Sequence, residues 1–118
     1  MRRDDERLRD ILEHIDSAVL AIASKGRPEF DIDPVLQKAV QYDLFIIGEA
    51  AANISKDLRT KHPQVPWKDI CGLRTKLAHE YFSLDLDVIW RTATDDLPVL
   101  RAQIAQILKA EFPDQNPA

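Results

Sequence analysis

Apolar residues along the chain recur in steps of three and four. Leu8, Ile11, Leu12, Ile15, Val19 and Ile22 form one such stripe, predicting a first helix over about residues 3–24. Gly26 and Pro28 are the signals that stop it. Asp33 is placed to cap a second helix with Pro34 in its first turn. The same periodicity continues through Leu36, Val40, Leu44, Ile47, Ala51, Ile54 and Leu58, so this helix is expected to run to about residue 60, roughly 40 Å at 1.5 Å per residue. Pro63 and Pro66 make "KHPQVPW" a loop, and a third helix is expected from about Trp67 to Tyr81. A fourth opens after "SLD", with Leu86, Ile89, Trp90, Ala93, Leu97, Leu100, Ile104 and Ile107 on one face. Pro98 lacks a backbone donor, which predicts a kink or short break near Thr94–Leu97. No segment alternates with the period of a strand. The expected fold is all-α: an antiparallel bundle of four to five helices over residues 1–111, followed by a disordered tail over 112–118.

Two local features break the plain amphipathic pattern. In "IIGEAAANI", Gly48 costs about 1 kcal/mol in a helix interior, and with Ala50, Ala51 and Ala52 it leaves a smooth surface that another helix can approach. Glu49 and Asn53, four apart, lie on one side of that surface, either as an exposed polar pair or as a buried pair supporting a site. The second feature is "RTKLAHEYF" at the end of the third helix. Stepping about 100° per residue from Arg74 puts Trp67, Ile70, Leu77 and Tyr81 on its side of the helix. His79 falls on the polar side with Lys68, Thr75 and Lys76. An arginine in an apolar stripe needs a partner. It is either paired with a carboxylate such as Glu49 or facing an interface that a second chain closes.

Composition narrows the function classes. A chain of 118 residues, 45% hydrophobic and 31% charged, is one globular domain with enough length for a core. The single cysteine, Cys71, cannot form an internal disulfide; a small buried residue in a reducing cytoplasm is its expected role. "MRRDDERLRD" is charged with no apolar run behind it, so no secretory leader is expected, and no segment is apolar enough to span a membrane. The three histidines are scattered, so no metal site and no cofactor are expected; His14 and His62 read as ordinary structural residues. The net charge of −4 argues against nucleic acid, but its distribution does not. Residues 56–79 hold Lys56, Arg59, Lys61, Lys68, Arg74 and Lys76 against Asp57 and Asp69, a local surplus of +4. By itself such a patch reads more readily as a solvated face.

Arginine offers a permanently charged fork matched to phosphate, and histidine exchanges a proton near neutral pH. Together they suit cleavage of an RNA phosphodiester, where the 2′-hydroxyl is the nucleophile and no metal is required. That reaction wants a base and an acid, and a symmetric dimer would supply His79 twice to a shared cleft. Three residues at this spacing are weak evidence by themselves.

The stretch "RTKLAHEY" resembles the Arg-x4-His-x-Tyr motif of the HepT-like toxins, a branch of the HEPN ribonuclease superfamily. "DLFIIGEAAANIS", "HPQVPWKDICGLR" and "DLDVIWRTATDDLPVL" resemble further stretches of that family, in the same order, and the likeness covers about residues 5–110. It implies a helical bundle that forms a homodimer, and a metal-independent endoribonuclease encoded beside a minimal nucleotidyltransferase antitoxin. Arg74 and His79 become the catalytic pair, and Tyr81 the tyrosine that the antitoxin adenylylates. Glu49, Asn53 and Thr75 are given supporting roles, and Lys68 and Lys76 contacts to RNA. The substrate implied is RNA, with transfer RNA among the candidates; no residue here selects it over messenger RNA. Thr75 departs from the family, which commonly has a polar amide after the arginine, and an amide's paired donor and acceptor are lost with it. Thr75 and the acidic net charge favour a rival reading, a catalytically silent helical dimer that docks a nucleotidyltransferase. The intact Arg74–His79–Tyr81 set favours the enzyme.

Overall fold

The computed structural model describes residues 3–79 and 85–113, the side chain of His79 excepted. The described elements are α1 (Asp4–Lys25), α2 (Arg27–Ile32), α3 (Pro34–Ala52), α4 (Lys56–Lys61), α5 (Trp67–His79) and α6 (Leu86–Arg91), then a π-helical turn (Thr92–Asp96) and α7 (Leu97–Glu111). The fold among these residues is all-α, as the periodicity predicts.

Of the stripe read from the sequence α1 buries Leu8, Ile11, Ile15 and Ile22, while Leu12 and Val19 are partly buried against the core and Ala18, outside that stripe, is fully buried. Gly26 ends it at φ +82°, a conformation that side chains rarely adopt, while its N–H bonds the Ile22 carbonyl at 2.9 Å. The short α2 was not evident in the periodicity. Its one buried residue, Phe30, packs against the Trp90 ring at 5.4 Å between centroids. Asp33 caps α3 as expected, accepting from the amides of Val35 and Leu36 at 3.0 and 3.2 Å.

The expected helix to residue 60 is interrupted. α3 stops at Ala52, Asn53 closes it, and Ser55 starts α4 by accepting from the Leu58 amide at 3.2 Å. The same serine is held by the Asp4 carboxylate, at 3.0 Å from its amide and 2.6 Å from its hydroxyl. Ile54 and Leu58 are both buried, so the break keeps the apolar phase that hid it. Near Pro98 the interruption predicted at Thr94–Leu97 takes the form of the π-helical turn, after which Pro98 sits in the first turn of α7.

α3 lies between α1 and α5, and α1 also packs on α7. Pairing is antiparallel: Asp4 meets Ser55 while His14 meets Asp43, and Gly48 meets Arg74 while Tyr42 and Phe45 line a groove with Leu77. A single core joins all of these elements. Phe112, beyond the expected boundary at 111, packs against it. Residues 114–118, most of the expected tail, lie outside the described residues. No described helix is long and apolar enough to cross a membrane. Cys71 is half-buried rather than fully buried.

Candidate functional site

α5 crosses α3 at Gly48. A methyl group built there would lie 2.7 Å from the Arg74 amide nitrogen and 3.0 Å from the Ile70 carbonyl oxygen. The smooth surface of α3 is therefore used by a helix of the same chain, and its closeness to Arg74 needs no second subunit. This contact explains why an arginine can stand in the apolar stripe. Position 74 overlies a residue without a side chain, and its guanidinium runs along α3 to Glu49, the next residue.

Arg74 Nη1 and Glu49 Oε2 are 3.4 Å apart, a loose ion pair. Glu49 Oε1 in turn accepts from Asn53 Nδ2 at 3.3 Å, and the same Nδ2 donates to the Glu49 carbonyl at 2.8 Å. The three side chains form a relay along one edge of α3. The sharper expectation of a buried Glu49–Asn53 pair is not met: Asn53 is exposed, and the Glu49 and Arg74 side chains are 46% and 42% exposed. Among the described residues this one loose contact is the only side-chain bond of the guanidinium, so toward them its other N–H groups remain available to a ligand anion.

Thr75, Lys76 and Lys68 are exposed on α5. By helix register Thr75 and Lys68 share a flank turned about 100–120° from Arg74, and Lys76 is turned about 160°. Lys76 is thus the farthest of the three from the Arg74 edge. Position 79 ends α5, and its side chain lies outside the described residues, as does Tyr81. His14 Nδ1 meets the buried Asp43 carboxylate at 2.8 Å, and His62, at the end of α4, meets Glu111 at 3.0 Å. Both are structural pairings, in keeping with the sequence reading. Among the described residues no cluster of histidine, cysteine, aspartate and glutamate could hold a metal ion.

Sequence reasoning left two site features unread. One is a groove of about 270 Å³ lined by Lys38, Tyr42, Phe45 and Leu77, where α3 meets the end of α5. Its signal was available: Tyr42, Phe45, Ile46, Glu49 and Asn53 step by three and four along the edge of α3 that carries the relay. The other is the cationic cleft between α4 and α5: its Lys56, Arg59 and Lys68 belong to the basic surplus read over residues 56–79, but the proline loop separates them in sequence and no short motif shows that they line one cleft.

An all-α chain with an arginine tethered for anions on a helix ending in histidine fits a phosphodiester-handling class. The family model described as "Ribonuclease HepT-like" matches residues 6–107. Among similar proteins, one named as a putative RNase in Caldanaerobacter subterraneus subsp. tengcongensis is 40% identical over 104 residues, covering 88% of this chain and 93% of that one. One named "Probable ribonuclease HepT" in Thermococcus cleftensis is 37% identical over 105 residues, covering 86% and 96%. A putative RNase of Methanocaldococcus jannaschii is 36% identical over 110 residues, covering 92% and 91%. No solved structure matches the chain at a significant level. The chain belongs to the HepT-like ribonuclease family.

Proposed function

We propose that this protein is the endoribonuclease toxin of a toxin–antitoxin pair and cuts RNA without a metal ion. The observation that carries the reading is Arg74, a half-exposed arginine tethered by Glu49, which Asn53 in turn holds, and with no second carboxylate partner among the described residues. The 2′-oxygen of the substrate attacks the adjacent phosphorus and loses its proton to a base. The bond from phosphorus to the 5′-oxygen breaks, and that oxygen takes a proton from an acid. The products carry a 2′,3′-cyclic phosphate and a 5′-hydroxyl. Arg74 balances the extra charge on the non-bridging oxygens in the transition state. His79 is the proton carrier, and a homodimer would bring two copies to one cleft, one as base and one as acid.

Regulation in this reading acts on Tyr81. Its phenol oxygen attacks the α-phosphorus of ATP on a partner nucleotidyltransferase, pyrophosphate leaves and the phenol proton is released. The added AMP places a negative phosphate where an RNA phosphate must bind, blocking the site by bulk and by charge. Transfer RNA is included among the substrates proposed, and the cytoplasm is the proposed compartment.

His79→Ala and Arg74→Ala should each abolish RNA cutting with the fold retained, cutting by the parent should persist in EDTA, and the ends should be cyclic phosphate. Size-exclusion chromatography should show twice 13.5 kDa. Metal-dependent cutting, or a monomer that cuts at full rate, would refute the mechanism. Intact-mass spectrometry after incubation with ATP and the neighbouring nucleotidyltransferase should show AMP on the parent and none on Tyr81→Phe. Undiminished modification of that variant would exclude Tyr81 as the acceptor.

A further inference from the structure

We propose that Lys56, Arg59 and Lys68 form a second phosphate-binding subsite, which holds the RNA backbone beside the Arg74 site; it rests on the ribonuclease reading above. The three line an open cleft of about 750 Å³ between α4 and α5, walled by Val65, Trp67 and Cys71. Among the described residues no carboxylate lines that cleft. Nearby, Lys61 and His62 both meet Glu111. Lys56, Arg59 and Lys68 have no carboxylate partner among the described residues. Asp69, the acidic neighbour of Lys68, lines a groove on another side of α5 with Ile70, Leu73 and Leu97.

A protein of net charge −4 has carboxylates to spare, so three convergent cations left unmatched are not the cheapest solvated surface. Arg59 adds a second observation. Its Nε is buried and has no hydrogen-bond partner among the described residues, so the side chain is drawn into the cleft wall without a protein acceptor to account for it there. Placement gives the cleft its role. Positions 68, 71, 75 and 79 of α5 step by three and four, so Lys68, Cys71, Thr75 and His79 share one flank of the helix that carries Arg74. At 1.5 Å per residue, Lys68 is about 9 Å along the axis from Arg74 and about 16 Å from position 79. A polymer with a phosphate on every unit can touch both sites, and a mononucleotide cannot. Trp67 is only 8% exposed and cannot serve as a stacking platform for a base. The subsite therefore reads phosphate, adding affinity without sequence preference.

The test uses the full chain carrying His79→Ala, so that binding is measured without turnover. A fluorescent single-stranded oligoribonucleotide is titrated at several salt concentrations. Neutralising one phosphate contact lowers the slope of log affinity against log salt by about 0.7 for a single strand. Lys56→Gln with Lys68→Gln should lower it by about 1.4, and adding Arg59→Gln by about 2 in all. Lys109→Gln, an exposed charge on α7, should leave it unchanged. The two lysines are exposed, so the double variant folds even if the half-buried Arg59 proves necessary for stability. A parent that binds RNA while the double variant keeps the parent slope overturns the subsite alone. A parent with no salt-dependent binding of RNA overturns the ribonuclease reading, and the subsite with it.

Discussion

Adding one methyl group at Gly48 measures the contact on which the site is built. The new Cβ would stand 2.7 Å from the Arg74 amide nitrogen, 3.0 Å from the Ile70 carbonyl oxygen and 3.2 Å from Arg74 Cβ. The two closest atoms are backbone, so no change of rotamer relieves the clash and α5 itself must shift. Overpacking of this kind costs about 1–3 kcal/mol. Replacing a helix-interior glycine by alanine returns about 1 kcal/mol, because a costly loss of backbone entropy is removed. Gly48→Ala should thus lose about 0–2 kcal/mol net. Gly72 supplies the reference, since no atom lies within 4 Å of a methyl built there and only the helix gain remains. The difference between the two variants isolates the overpacking, about 1–3 kcal/mol, or roughly 4–12 °C in Tm for a chain of this length. Thermal melts followed by far-UV circular dichroism measure it directly. Displacing Arg74 from Glu49 should also lower RNA cutting by Gly48→Ala more than its unfolded fraction explains, while Gly72→Ala cuts like the parent. Melting temperatures that coincide for the two variants would refute the close approach of α5 to α3.

The Arg74–Glu49 pair should matter to activity far more than to stability. With both side chains more than two-fifths exposed, Arg74→Ala or Glu49→Ala should each cost no more than about 1 kcal/mol in urea unfolding. A loss of several kcal/mol would instead mean a buried, fully desolvated pair. Acid stability should depend on Asp5, a buried carboxylate flanked by Arg9 at 2.6 Å and Arg3 at 3.1 Å. Burial pushes its pKa up, but the hydrogen bond from Arg9 and the charges of Arg3 and Arg9 outweigh that and hold it below the ordinary value of 3.8. A depressed folded pKa stabilises fully above the unfolded value and is lost as pH falls through the folded one. The stability gap between the parent and Asp5→Asn should therefore be constant above the ordinary carboxylate range and close in more acid solution. A gap that widens on acidification would show the opposite shift.

The legible parts of this fold are those that a local pattern decides. α1, the start of α3, α5 and the interruption before Pro98 follow from apolar spacing, a capping aspartate and two prolines. The break at residues 53–55 does not, because Ile54 and Leu58 keep the helical phase across it. Ser55 decides it together with Asp4, a carboxylate 51 residues earlier. α2 is too short to show a period, and its place depends on Phe30 meeting Trp90 from the far end of the chain. The cationic cleft is likewise tertiary, since the proline loop folds α4 back beside α5.

The candidate site was legible one step further than the fold, for a reason lodged in two adjacent residues. A charge in an apolar stripe demands a partner, which pointed from Arg74 to Glu49, and an interior glycine demands a close neighbour, which pointed from Gly48 to an unnamed helix. The structure makes these one demand. Gly48 sets the distance of the α5 backbone at Arg74, and Glu49 then meets the guanidinium that the close approach brings within reach. Moving the arginine by one position along α5 would rotate its side chain about 100° and take the guanidinium from Glu49, while the backbone contact with Gly48 would stay at position 74. Arg74 is therefore fixed in register as well as in charge. A lysine there would keep the charge and the backbone contact but lose the planar fork that can face Glu49 and still offer donors to a phosphate.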